Sequence, residues 1–192
     1  PHYYKVYLAD PDVVAEISPT ERAAHFQFTF PRTDSAYLLV DAFPMGSMVK
    51  IIPEQNKVTG YSRNNHGGVP DNFHNYFTIE FSKPFTVTGT WKENEIQLNQ
   101  NQAEGEHVGA VLGFKTNDGE KITVKVASSF ISLQQAELNL EREIGSATFK
   151  ETKTAAKARW SDELNRIRVE GGSLEQKQTF YTCLYRTLLF PR

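Results

Sequence analysis

Between residue 3 and about residue 130 the chain alternates apolar and polar side chains with a period of two in several places. Phe26, Phe28 and Phe30 alternate with Gln27 and Thr29; Phe77, Ile79 and Phe81 with Thr78 and Glu80; Ile122, Val124 and Val126 with Thr123 and Lys125. Successive side chains of a strand point to opposite faces, so this pattern predicts strands with one face buried. Shorter strands are predicted over residues 4–8, 13–17, 37–41, 49–52, 57–61, 85–91, 95–98 and 108–114. Turn-forming residues separate them: Pro31-Arg32-Thr33-Asp34, Pro53-Glu54-Gln55-Asn56 and Asn117-Asp118-Gly119, the last read as a hairpin turn. Many short strands with one-sided alternation predict a mainly β fold, an antiparallel two-sheet β-sandwich over residues 1–131.

At Ser132 the period lengthens. Ser132 and Gln135 have the spacing of a capping box, and Leu133, Ala136, Leu140 and Ile144 recur at helical intervals until Gly145 stops the helix. A second helix is predicted from Thr148 to Ile167, with Phe149, Ala156, Trp160, Leu164 and Ile167 on one face. Ser173-Leu174-Glu175-Gln176 is a further capping box. It opens a third helix carrying Phe180, Tyr181, Leu184, Tyr185, Leu188 and Leu189, which ends at Pro191. The apolar stripe of that helix is wide and aromatic, and such a stripe has to be buried against something. Residues 132–192 are therefore read as a helical segment that joins the sandwich to a missing neighbour. A chain that opens on Pro1 and stops just after this helix reads as an internal piece of something longer.

Composition narrows the function classes. The chain has 192 residues and a formal net charge of −2. Acids and bases are mixed along it, so it carries no electrostatic footprint for nucleic acid or an anionic membrane. No apolar run approaches the ~20 residues needed to span a bilayer. The single cysteine, Cys183, cannot close an internal disulfide, and its position among apolar helix neighbours reads as a small buried residue.

Catalytic motifs are absent. His2, His25, His66, His74 and His107 fall in no HExxH motif and no Cys/His cluster, and there is no GxSxG and no phosphate-binding glycine loop. Asp10, Asp12, Glu16 and Glu21 are dispersed acids of a solvated face. The loop after residue 61 stands out because it is long, glycine-containing and dense in hydrogen-bonding side chains. Arg63, Asn64, Asn65, His66, Asp71 and Asn72 are its candidates for contacting sugar hydroxyls, with Trp91 as a candidate aromatic platform. A solvated connection between strands, and a core or rim tryptophan, are the alternatives.

The helical tail also carries a family resemblance. Trp160-Ser161-Asp162-Glu163-Leu164-Asn165-Arg166-Ile167-Arg168-Val169-Glu170-Gly171, followed by Phe180-Tyr181-Thr182-Cys183-Leu184-Tyr185-Arg186-Thr187-Leu188-Leu189, resembles glycoside hydrolase family 92. Tyr3-Tyr4-Lys5-Val6-Tyr7-Leu8, Glu16-Ile17-Ser18-Pro19-Thr20-Glu21-Arg22 and Phe81-Ser82-Lys83-Pro84-Phe85 are similar to its earlier motifs. The resemblance implies a galactose-mutarotase-like supersandwich joined by linking helices to an (α/α)6 catalytic barrel. It also implies a secreted, periplasmic or cell-surface bacterial α-mannosidase, calcium-dependent and inverting, acting on mannose-containing glycans. The acid, the base and the calcium ligands are implied to lie in the barrel, so no catalytic or metal residue is carried onto this chain. A free-standing carbohydrate-binding module and a non-catalytic interaction domain remain the other readings.

Overall fold

The computed structural model describes residues 1–189. Its strands are β1 (Tyr4–Leu8), β2 (Val13–Pro19), β3 (Ala23–Phe30), β4 (Thr33–Asp41), β5 (Ser47–Ile52), β6 (Lys57–Ser62), β7 (Asn75–Phe81), β8 (Val87–Lys92), β9 (Glu95–Leu98), β10 (Gln102–Gly105), β11 (Val108–Thr116) and β12 (Glu120–Ser129). Three helices follow: α1 (Leu133–Glu143), α2 (Phe149–Leu164) and α3 (Leu174–Leu189). Among the described residues the strands form two antiparallel sheets. The larger has the order β1-β2-β3-β12-β7-β6-β5-β10 and the smaller β4-β11-β8-β9.

The inner faces of the two sheets make the core. Val49, Val58, Leu112, Phe114 and Ile122 are fully buried there, and the rings of Phe81, Phe85 and Phe114 meet at 5.2–6.1 Å between centroids. Burying each such side chain contributes ~1.5–3 kcal/mol.

Two of the chain's crossings between the sheets, β3 to β4 and β11 to β12, form adjacent corners. Thr116 Oγ1 donates to Pro31 O at 2.7 Å, and Gly119 N–H donates to Phe30 O at 3.0 Å. Gly119 has φ +70°, which a side chain would strain. Asn117-Asp118-Gly119 is therefore a turn, but not the expected hairpin: β11 and β12 belong to different sheets and do not pair. Alternation marks a buried face without saying which strand lies alongside. Likewise Thr33 and Asp34, expected in a turn, begin β4, where Thr33 pairs with Thr116. Strand β10 was not expected. It is polar and held at the sheet edge by its backbone ladder to β5, which leaves no hydrophobic period to read.

The outer face of the larger sheet is covered by α1 and α2. Ala23 and Ala127 form an apolar floor that Leu140 and Ile144 of α1 close. Ser132 accepts from Gln135 N–H at 3.1 Å, as a cap should, but the Gln135 side chain turns to Asn139 instead of reaching back. Asn139 is buried and donates to Ser128 O at 2.9 Å, which ties α1 to the end of β12. At the other end of α1, Glu143 accepts from Thr20 Oγ1 (2.5 Å) and Arg22 N–H (2.8 Å). Burial alone would raise the Glu143 carboxyl, but these hydrogen bonds outweigh it and hold the carboxyl below its ordinary value. Lys57 reaches both Glu80 and Glu137 at 3.3 Å and adds a polar tie from β6 to α1.

Helix α2 opens on a full capping box between Thr148 and Glu151 and ends at Leu164, three residues short of the expected Ile167, which is exposed beyond the Asn165 cap. Its buried residues are Phe149, Thr152 and Ala156. Helix α3 has the expected Ser173–Gln176 box, with Gln176 N–H donating to Ser173 Oγ and Ser173 N–H donating back to Gln176 Oε1. The expected stop at Pro191 lies outside the described residues. None of the α3 residues is buried, and Cys183, expected to be buried, is exposed.

Replacing Asn139 with Ala leaves the Ser128 carbonyl without its donor in a buried seam. The variant should lose ~1–3 kcal/mol of unfolding free energy, measured as a shift in denaturant midpoint at unchanged slope.

Candidate functional site

Strand direction decides which loops share an end of the sandwich. The end of β4 pairs with the start of β11, and the end of β6 with the starts of β5 and β7. The connections 42–46, 63–74 and 106–107 therefore lie together, beside the exit from β12 into α1. The contacts bear this out. Arg63 N–H donates to Gly46 O (2.9 Å), Gly46 N–H to Glu106 O (2.9 Å), and Phe73 packs on Phe130 with centroids 5.5 Å apart.

Within the loop, Arg63 extends its guanidinium to Asp71 O at 2.7 Å and so closes the segment on itself. Asn64 donates to Pro44 O at 3.4 Å. Asn65 is used internally: its amide donates to Arg63 O (2.8 Å) and its carbonyl accepts from Gly67 N–H (2.7 Å). Gly67 and Gly68, both at positive φ, form an open tip beside exposed His66. The Asp71 and Asn72 side chains are exposed, and Asn72 O holds His74 Nδ1 at 2.8 Å. Arg63, Asn64, Asn65, His66, Asp71 and Asn72 thus form one self-braced surface loop.

Trp91 does not join it. It lies on β8 in the smaller sheet, half-buried and flattened over Gly109, where a Cβ would stand 2.3 Å from the indole. The ring meets His107 edge-on at 4.8 Å, and His107 Nε2 is bonded to Asp41 Oδ1 at 2.8 Å. This Trp91–His107–Asp41 cluster was not expected from sequence, because its members come from three separate strand ends. Two of the dispersed acids have structural partners. Glu16 accepts from Tyr3 Oη (2.5 Å) and Gln27 Nε2 (2.7 Å), while Glu21 pairs with Arg22 and Arg159.

A cleft of about 1200 Å³ opens next to the loop end, between α1 and α2 and under the β2–β3 turn. Arg22, Arg142, Arg159, Asn139 and Trp160 line it. At its mouth stand Phe130 and Ile131, 70% and 77% exposed, and the neighbouring loops add exposed Phe43, Met45 and Val69. Uncovered apolar side chains gathered at one end mark a contact surface. Among the described residues no group of three or more His, Cys, Asp or Glu could hold a metal ion. No helix among the described residues is long and apolar enough to cross a membrane.

A model of the glycosyl hydrolase family 92 N-terminal domain matches residues 1–129. This chain belongs to glycosyl hydrolase family 92. The model of the family 92 catalytic domain matches residues 135–192, so the exposed Phe130 and Ile131 fall between the two matches. A family 92 inverting mannosidase from Bacteroides thetaiotaomicron superimposes on the whole chain with a TM-score of 0.96 at 42% identity. A family 92 α-mannosidase from the same organism superimposes on 96% of it, with a TM-score of 0.86 at 32% identity. The chain spans 26% of each of those two proteins. It is also 29% identical, over 90 residues, to a protein of Arthroderma benhamiae named an uncharacterized secreted glycosidase; that stretch is 44% of this chain and 12% of that protein.

Removing the Arg63 guanidinium should loosen the family 92 loop without touching the core. Arg63→Ala is expected to be cut several-fold faster between residues 64 and 70 by a nonspecific protease. Its unfolding free energy should fall by less than ~0.5 kcal/mol.

Proposed function

We propose that this chain is the N-terminal part of a secreted bacterial α-mannosidase that removes terminal α-mannose from glycans with inversion, acting in the periplasm or at the cell surface. In this reading the helical segment 132–192 leads into an (α/α)6 barrel that holds the general acid, the general base and calcium. Inversion needs two carboxyl groups ~6.5–9.5 Å apart with a water between them. The paired acids described above are braced by their own neighbours and serve the fold. The sandwich instead shapes the substrate pocket, with Arg63, Asn64, Asn65, His66, Asp71 and Asn72 as the loop offered to the sugar and Trp91 as a wall on the other sheet.

The observation that carries this reading is the state of α3. It lies within the stretch matched by the catalytic-domain model, none of its described residues is buried, and its aromatic stripe meets α2 through Tyr185 against Trp160 at 5.2 Å. A self-contained carbohydrate module would seal such a stripe on its own sheets. Identity of 42% to an inverting mannosidase supports the chemistry, and similarity to a protein named a secreted glycosidase supports export.

The test compares residues 1–192 with the longer protein on an aryl α-mannoside in the presence of calcium. The longer protein should release β-mannose, seen by NMR of the first product, while residues 1–192 show no turnover. Turnover by the shorter chain would overturn the placement of the catalytic groups. In the longer protein, Asp71→Ala and Arg63→Ala should raise KM several-fold with a smaller change in kcat. An unchanged KM in both would remove the loop from the pocket.

A further inference from the structure

Helix α2 is held to the sandwich more lightly than α1, and through one unusual residue. Of its three buried side chains, Phe149 and Thr152 both touch His25, which projects from the outer face of β3 and is 1% exposed. The Phe149 ring meets the imidazole edge-on at 5.5 Å, and Thr152 Oγ1 lies 3.0 Å from His25 Nδ1. The same hydroxyl donates its only proton to Thr148 O at 3.2 Å. It therefore accepts from Nδ1–H, and the neutral imidazole carries its proton on Nδ1. Nε2 is then a bare lone pair, fully buried and without a partner.

A second proton at Nε2 would have no acceptor and no counter-charge. Facing the ring from β12 is Lys125, its register partner, whose ammonium donates to Gly145 O. From β2 comes Ser18, which donates to His2 O. His2, the N-terminal amine, Lys153 and Lys157 add further positive or protonatable groups on the same side, with Lys153 seated over the Tyr3 ring. Glu16, the next acid on that face of β2, has one oxygen on Tyr3 and the other on Gln27. Burial, and secondarily Lys125, push the His25 imidazole from its ordinary 6.5 down to about 4.

The surroundings of α2 allow it to move by itself. Helix α1 is anchored separately on β12 and β7, the 1200 Å³ cleft lies between the two helices, and the short connection through Gly145 and Ser146 joins them. We propose that His25 is an acid-sensitive latch: a proton taken up by its free ring nitrogen releases α2, and α3 with it, from the outer face of the larger sheet while the sandwich stays folded. The sign follows from which state binds the proton. The docked state excludes it and the released state accepts it at the ordinary histidine value. The latch is thus fully closed above pH 6.5 and weakens as pH falls from 6.5 towards 4. Between pH 7.5 and pH 5 the opening constant of α2 rises about thirtyfold. The anchor of α1 at Glu143, whose carboxyl lies below its ordinary 4.5, is intact throughout that interval. The inference stands on α2 and β3 alone and does not depend on the mannosidase reading.

Native-state hydrogen exchange of residues 1–192, corrected for the intrinsic pH dependence of exchange, tests it. Opening of α2 amides at Thr152 and Ala156 should increase about thirtyfold from pH 7.5 to pH 5. Amides of β12 and α1 should stay level. In His25→Gln, whose neutral amide donates to Thr152 at every pH, the α2 response should be flat; in Glu21→Gln, which removes the carboxylate paired with Arg159, it should persist. If His25→Gln does not fold, NMR titration of the His25 ring in the unaltered chain replaces it, and the ring should stay neutral down to pH 5 while α2 opening rises. A persistent response in His25→Gln, a lost response in Glu21→Gln, a His25 ring that titrates near 6.5 with α2 still docked, or β12 amides opening in step with α2 would each overturn the latch.

Discussion

Ala23 and Ala127 stand side by side on the outer face of the larger sheet, and Leu140 and Ile144 of α1 close over them. That contact makes the eight-stranded sheet a middle layer. Its other face is sealed by the smaller sheet through Phe30, Phe81, Ile122 and Val124. On that outer face β3 and β12 carry the small side chains Ala23 and Ala127 under α1 and the buried His25 under α2, while Lys125 beside them carries its charge out to Gly145 O. The small side chains at 23 and 127 let a helix approach the sheet, and the bonds of Asn139 and Glu143 fix where along the sheet it sits.

Much of this was legible in sequence because it rests on local period and local capping. Phe26-Gln27-Phe28-Thr29-Phe30 alternates because β3 has a greasy inner face, and Ser173-Leu174-Glu175-Gln176 closes its box with bonds four residues can make by themselves. What could not be read depends on partners distant in the chain. Whether Asn117-Asp118-Gly119 joins neighbouring strands or crosses between sheets is decided by Phe30 and Pro31, some ninety residues earlier, whose carbonyls catch Gly119 and Thr116. Strand β10 is visible only through β5, and the stop of α2 at Leu164 is set by the Asn165 turn where the apolar period would have continued to Ile167.

The candidate site divides in the same way. A dense run of polar residues between strands announced a loop, and the loop exists, but its side chains brace one another before they reach outward. Arg63 holds Asp71 O and Asn65 holds Gly67, so a ligand would meet chiefly His66, Asp71 and Asn72. Trp91 could be singled out as an aromatic but not placed. Gly109 opposite it on β11 makes room for the indole to lie flat, and that pairing exists only once β8 and β11 are in register.

Burial along the helices falls off in chain order, and this ordering has a physical meaning. Helix α1 buries Ala136, Asn139 and Leu140 together with its cap residue Ile144; α2 buries Phe149, Thr152 and Ala156, two of them on a single histidine; α3 buries nothing. A helix contributes to stability mainly through the face it covers, so each successive helix depends less on the sandwich. The aromatic stripe of α3 is not buried, and Phe130, Ile131, Phe43 and Met45 are exposed at the loop end of the sandwich. The sandwich holds α2 through Phe149 and Thr152 at His25, Ala156 and the Glu21–Arg159 pair, and that sparse attachment is what lets a single buried proton change where α2 sits.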